Sequence, residues 1–275
     1  MDTILIHASQ SGRRTRALEY GAHLAARLGA SVTGAYVHPS MLQSIPPLAP
    51  PDLVSLVLVN AKTLGADADR LGVEFVEWTR SLGIKHAAWH VAEDYLPDAL
   101  AQIGQWHSLL VVGHDADFAW GSPPDIASLI FAATLPAIVV PAGTVEPRAA
   151  GSIVVAWNGS AEAIRATRAA LPLLKQAHKV VVLMGEHRHT LREISWTPGL
   201  EIEEFLRRHD VRFECREFDA DDDKAGTALL EASASLKADL LVMGMYGRGR
   251  FREWILGGAT RQVLEQATLP VLMCH

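Results

Sequence analysis

The sequence repeats itself, and a repeat constrains the fold more than any single motif in it. Thr3-Ile-Leu-Ile-His-Ala-Ser-Gln-Ser11 is followed by an arginine-rich helical pattern through Leu28 and Gly29. Ser152-Ile-Val-Val-Ala-Trp-Asn-Gly-Ser160 is followed by another through Ala177. Leu109-Leu-Val-Val-Gly113 parallels Leu240-Leu-Val-Met-Gly244, and Thr134-Leu-Pro-Ala-Ile-Val-Val140 parallels Thr268-Leu-Pro-Val-Leu-Met273. Matched landmarks in one order mark a tandem duplication. At 275 residues the chain holds a little under two domains of ordinary size, as a duplication needs. Pro141-Ala-Gly-Thr-Val-Glu-Pro-Arg-Ala-Ala-Gly151 has prolines, glycines and no apolar period, and reads as the linker. The expected domains are residues 1–146 and 147–275.

Within each half, strand and helix patterns alternate. In the second, strands are expected at about 152–157, 179–184, 211–218, 239–243 and 270–274. Helices fall between them at about 160–176, 197–209, 223–236 and 258–267. Val180-Val-Val-Leu-Met184 and Leu240-Leu-Val-Met243 are unbroken apolar runs, which suit strands covered on both faces. Asp221-Asp-Asp223 before a helical pattern reads as an N-cap. The Pro-rich stretch Ile45–Pro51 reads as an extended insertion leading to a helix at about 52–71. Alternation of this kind gives parallel sheets with right-handed crossovers, so the fold class is α/β, two doubly wound domains.

Composition excludes several functions. A net charge of −6 argues against a general nucleic-acid binder, and no apolar run approaches the ~18 residues of a membrane span. Two cysteines, Cys215 and Cys274, are too few for a disulfide scaffold or a thiolate metal site. No basic segment followed by an apolar one opens the chain, so a cytoplasmic location is expected. His187 and His189, or His86 and His90, do not form part of a recognisable metal-ligand set. No nucleophile elbow or paired carboxylates adjoin the glycine-rich segment described next, and no lysine falls between Gly244 and Arg261.

Ligands of open α/β sheets sit beyond the carboxyl ends of the strands. The segment after Met243 is therefore the most informative one: Gly244, Gly247, Gly257 and Gly258 punctuate it, and Thr260 follows in a helical pattern. Glycines let backbone amides approach an anion, and the N–H groups opening a helix attract phosphate. Arg248, Arg250 and Arg252 on the same stretch either meet phosphates or face solvent, and Tyr246 and Trp254 either stack on a base or pack. By physics alone the segment is a phosphate site or a structural turn. No P-loop occurs, and Gly247-Arg-Gly249 lacks the rest of a dinucleotide fingerprint.

The spacing Gly244-x2-Gly247-x9-Gly257, with Thr268-Leu-Pro-Val-Leu-Met273 and Ile153-Val-Val-Ala-Trp-Asn-Gly-Ser160, resembles the universal stress protein family in two tandem copies. The resemblance implies a Rossmann-like domain with a mainly parallel five-stranded sheet, binding ATP or another adenine nucleotide, with Mg allowed alongside it. It places Ala156, Trp157 and Asn158 beside the base, with Met184 a weaker match. Met243, Gly244, Met245, Tyr246, Gly247, Gly257, Gly258, Ala259 and Thr260 fall on the ribose and phosphates. It also implies that the terminal strands of the two halves pair about a dyad, an internal pseudo-dimer, and it allows a homodimer.

Two residues depart from the family pattern. Asn158 stands where Asp is usual and keeps an oxygen without the charge. Gly258 stands where Ser or Thr is usual and forfeits a hydroxyl contact, which makes a di- or monophosphate a ligand beside ATP. The first half departs further. Ser9 takes the acidic position, Ala116 replaces the second glycine, and Pro123 and Pro124 replace the helix-start pair, with Asp115 and Asp117 nearby. Proline has no N–H and aspartate repels phosphate, so this half is not expected to bind nucleotide. The function expected is a stress-response regulator or sensor, at most a slow hydrolase of nucleotide. A nucleotide-dependent enzyme and a stress adaptor without nucleotide are the alternatives.

Overall fold

The computed structural model describes residues 1–40, 45–46, 48–114, 120–143, 151–185, 201–221, 223–245 and 257–275. The described chain forms two compact units. One is Met1–Gly113 with Phe131–Leu135, the other His114–Ile130 with Pro136–His275.

In the first unit β1 (Thr3–Ala8), β2 (Ser31–His38), β3 (Ala87–Glu93) and β4 (Leu109–His114) form a parallel sheet in the order β3-β2-β1-β4. Helices α1 (Arg16–Leu28), α2 (Pro51–Ser81) and α3 (Leu96–Gly104) make the crossovers. Ile4, Leu5, Ile6 and the run Leu109–Val112 are wholly buried, as strands covered on both faces must be. Thr15 caps α1, its hydroxyl accepting from the Leu18 N–H at 3.5 Å. Helix α2 starts where expected, with Pro51 at its first position, which suits a residue lacking an N–H. It then runs ten residues beyond the expected 71, to Ser81. Phe75 and Thr79 sustain the buried stripe there, beyond the expected end.

The second unit holds β5 (Ala137–Pro141), β6 (Ser152–Trp157), β7 (Lys179–Met184), β8 (Glu214–Glu217), β9 (Leu240–Gly244) and β10 (Val271–Cys274). Their order is β5-β10-β9-β6-β7-β8, and all pairs are parallel except β5 with β10. Helices α5 (Ala161–Leu174), α6 (Ile202–Arg208), α7 (Ala225–Ser235) and α8 (Gly258–Gln266) connect them. Helix α4 (Pro123–Ala133) precedes β5. The expected α/β class with mainly parallel sheets is thus the observed one.

The compact units and the sequence halves differ in one strand. β5 closes the first repeat yet lies in the second unit, because its ladder partner is β10. Ile138 faces Leu272, flanked by Ala137 with Met273 and Val139 with Val271. Ile138 and Leu272 hold the same position in the two repeats, so the pairing is symmetric about them. The junction near residue 147 lies outside the described residues.

Two local readings need correcting. The strand expected at 211–218 is only Glu214–Glu217, exposed throughout, at the edge of its sheet. Among the described residues no aspartate before α7 caps it: Lys224 is the N-cap residue and makes no side-chain bond there, and Asp222 lies outside the described residues. Gln262 of α8 does the work instead, its Oε1 accepting from the N–H groups of Gly226 (2.9 Å) and Thr227 (3.3 Å) while its Nε2 donates to the Asp223 carbonyl. A cap supplied from a helix 36 residues away leaves no local signature.

Candidate functional site

Ala156, Trp157, Met184, Met243 and Gly244 stand at the carboxyl ends of β6, β7 and β9, with Asn158 and Met245 directly after them. β6 lies between the other two, so the end of each opens on the same edge of the sheet. In register, Ala156 faces Leu183 and Trp157 faces Met184. Ala156 and Met184 are half-buried, and Met243 is buried. Trp157 is 7% exposed, and its buried indole Nε1 has no hydrogen-bond partner among the described residues. A buried donor left unpaired is destabilising by about 1–3 kcal/mol.

The turn after β6 is built from its own side chains. The Asn158 Oδ1 accepts from the Ser160 N–H at 3.1 Å, an Asx turn, and Gly159 between them takes φ 71°, a conformation that excludes most side chains. Ser160 then caps α5, its hydroxyl accepting from the Ala163 N–H at 3.2 Å. After β7 the Gly185 N–H donates to the Trp157 carbonyl at 2.8 Å, holding the chain against the end of β6. The side-chain oxygen that the family pattern would present to a base is therefore engaged by the backbone of its own turn.

Gly244 has a role the sequence does not reveal. A Cβ there would lie 2.6 Å from the Ala163 nitrogen and 2.7 Å from the Glu162 Cβ. The strand end thus packs directly on the first turn of α5, and any side chain at 244 displaces backbone. Met245 follows, fully buried, its N–H donating to the Cys274 carbonyl at 2.7 Å. On the same side Arg165 donates to the His275 carbonyl (2.6 Å) and to Glu162 (2.8 Å). Burial pushes the Cys274 thiol up and the His275 imidazole down, so both favour their neutral forms there.

The second glycine cluster starts a helix, as expected. Gly257 is the N-cap of α8, in extended conformation (φ −62°, ψ 146°), and makes no side-chain cap bond. The Arg261 N–H donates to the Gly257 carbonyl at 3.0 Å, so the Gly258 and Ala259 N–H groups precede the helix's own ladder. Thr260 is buried. Tyr246, Gly247, Arg248, Arg250, Arg252 and Trp254 lie outside the described residues, as do His187 and His189.

The corresponding helix start in the first repeat has a different chemistry. Pro123 and Pro124 open α4 without N–H groups. The Ser122 hydroxyl donates to the Asp125 carboxylate, and the Asp125 N–H donates back to the Ser122 hydroxyl at 3.4 Å. That end is closed by its own side chains and carries a negative charge. Asp115, Ala116 and Asp117 lie outside the described residues. Sequence reasoning missed a further feature of this repeat: His7, near the end of β1, is entirely buried, and desolvation lowers its pKa to about 4. The apolar run around it was the available signal. Among the described residues no group of three or more His, Cys, Asp or Glu could hold a metal ion, and no helix is long and apolar enough to cross a membrane.

Comparison with known proteins bears on the fold. Residues 150–275 match the model of the Universal stress protein family. A universal stress protein from Archaeoglobus fulgidus DSM 4304 is similar over 99% of this chain and 97% of its own, with a TM-score of 0.70 at 16% identity. A putative universal stress protein from Pseudomonas aeruginosa UCBPP-PA14 is similar over 100% of this chain and 93% of its own, with a TM-score of 0.60 at 15% identity. A universal stress protein solved in complex with cAMP matches only 46% of this chain, with a TM-score of 0.33 at 22% identity, and that ligand belongs to that protein. No curated protein matches the chain.

Proposed function

Residues 150–275 belong to the universal stress protein family, and the chain as a whole has the fold of a universal stress protein of matching length; from that premise we propose that the second repeat binds an adenine nucleotide and serves as a stress-response regulator or sensor. The observation that carries the reading is the open start of α8. Gly257 has no side chain with which to cap the helix, and among the described residues no side chain caps the Gly258 and Ala259 N–H groups at this positive helix end, the chemistry of a phosphate site. The base side consists of Ala156, Trp157 and Asn158 with Met184, and the phosphate side of Met243 to Gly247 with Gly257 to Thr260. With the Asn158 oxygen engaged by Ser160, base contacts fall to backbone groups and to the Asn158 amide nitrogen. Mg enters only on the phosphates, since the described residues offer it no ligand set. No residue is assigned a catalytic role.

The engaged Asn158 oxygen also favours a second reading, an adaptor that binds no nucleotide. Calorimetric titration of the full chain with ATP, ADP and AMP separates the two. Binding of at least one, at one site per chain, is expected, and no heat with any of them sinks the nucleotide reading. Gly244→Val is a poor control because its side chain meets the backbone of α5. Gly258→Pro is the better one, as proline suits the first position of a helix.

A further inference from the structure

Thr15 and Ser160 cap α1 and α5 locally, from the position just before each helix. Helix α7 is started differently, by side chains of α8. Gln262 is half-buried and spans three backbone groups: its Oε1 accepts from the Gly226 and Thr227 N–H groups, and its Nε2 donates to the Asp223 carbonyl. The Thr227 hydroxyl adds a bond to the Gln266 side chain at 3.2 Å. Gly226 is buried, and a Cβ there would lie 2.5 Å from the Ala259 carbonyl oxygen, so the two helices meet backbone to backbone. The tie falls on the same end of α8 as its uncapped amides. Gln262 stands one turn on from Gly258, on the same face of the helix, and Ala259 itself carries one of those amides.

We propose that Gln262 is a positioning residue of the nucleotide site. Without touching the ligand, it fastens the first turn of α8 to the start of α7, so that the Gly258 and Ala259 N–H groups are held where the phosphates lie. The proposal rests on the nucleotide reading of α8. Its physical reason is preorganisation. Gly257 and Gly258 carry no side chain that could anchor the turn, and a turn free to shift loses that freedom when an anion binds, which weakens affinity. Gly226 serves the same end, because any side chain there pushes α7 off the Ala259 carbonyl. Linkage makes the effect reciprocal: the factor by which the tie strengthens nucleotide binding is the factor by which nucleotide strengthens the tie. The start of α7 therefore registers whether the site is filled.

Hydrogen exchange and titration calorimetry on the full chain test this, using whichever of ATP, ADP and AMP binds wild type most tightly. At saturation the Gly226 and Thr227 amides should exchange ~10-fold more slowly than without ligand. That slowing is counted beyond any change at the Phe205 amide, bonded within the start of α6, which reports the general gain in stability on binding. Q262M keeps the length of the side chain and loses its three bonds, and should bind nucleotide ~10-fold more weakly without the extra protection. Q262E keeps an acceptor for the two N–H groups at a positive helix end, and should recover most of the affinity. Equal affinity in wild type and Q262M overturns the proposal, as does slowing at Gly226 and Thr227 no greater than at Phe205; in both cases the nucleotide reading stands. A wild type that binds none of the three nucleotides overturns both. If Q262M loses the far-UV spectrum of the fold, the wild-type exchange comparison decides.

Discussion

Two helix starts occupy the same place in the two repeats and offer opposite chemistry to a ligand. At α4 two prolines remove N–H groups, and Ser122 with Asp125 closes the end by reciprocal bonds that leave a carboxylate in place. At α8 two glycines open the helix, and among the described residues no side chain caps its first amides. Both helices form, and each leads into an apolar strand, β5 or β10. The helix is indifferent to whether its first turn is satisfied from within or from outside. A handful of residues therefore decides anion binding without deciding the fold. The strand ends differ in the same spirit. His7 stands in β1 at the repeat position that Ala156 holds in β6, and a buried imidazole must stay neutral where a methyl has no charge to lose.

The largest effect expected from breaking this comparison concerns His7. Its folded pKa, about 4, lies below the value of about 6.5 in an unfolded chain. Between those values the unfolded chain takes up a proton that the folded chain refuses, so stability falls as pH falls through that window. The stability is fully present above pH ~6.5, and about 3 kcal/mol of it is lost by pH ~4. Urea titrations from pH 7.5 to 4.5 should show that slope in wild type. His7→Ala, which installs the residue of the second repeat, should flatten it. An unchanged slope would show that other groups set the acid sensitivity.

Next in size is the exchange of helix-start chemistry. Gly258→Pro gives α8 one of the prolines of α4 and removes one N–H from the phosphate side. Losing one hydrogen bond to a charged group is worth about 1.5–3 kcal/mol, so nucleotide affinity should fall ~10–100-fold, with thermal stability held or slightly raised. Titration calorimetry reads the first and a melting curve the second. Equal affinity in the two proteins would remove α8 from the site.

The smallest effect compares the caps of the two opening helices. Ser160 meets the Ala163 N–H at 3.2 Å, and Thr15 meets the Leu18 N–H at 3.5 Å. Ser160→Ala should cost about 1 kcal/mol and Thr15→Ala about 0.5 kcal/mol, measured by urea unfolding. The reverse order would mean that the longer bond is the better aligned.

Strands β6 and β7 were legible to the residue, because unbroken Val and Ile runs between turn residues have few other ways to be satisfied. Ser160 was legible as a helix start for the same local reason. The cap of α7 was not, since Gln262 comes from another helix and only packing brings it there. The extent of α2 was not, because Phe75 and Thr79 carry its buried stripe past residue 71 through packing that the sequence does not show. In the candidate site, the glycines at 257 and 258 were legible as an open helix start. Gly244 read as a phosphate glycine, and the structure gives it a packing duty against Glu162 and Ala163 that the spacing cannot show.

What the sequence determined by itself is what each residue carries with it: the duplication, the apolar strands, the missing N–H of proline and the bare amide of glycine. These properties belong to a residue and its immediate neighbours, so they hold before the chain folds. Only the tertiary structure decided that β5 completes the second unit by pairing with β10, with Ile138 opposite Leu272. It alone decided that His7 is sealed from water and that the first half of α2 is left uncovered. Those outcomes depend on contacts between distant residues, and the free energy of such a contact exists only once the whole sheet has brought its partners together.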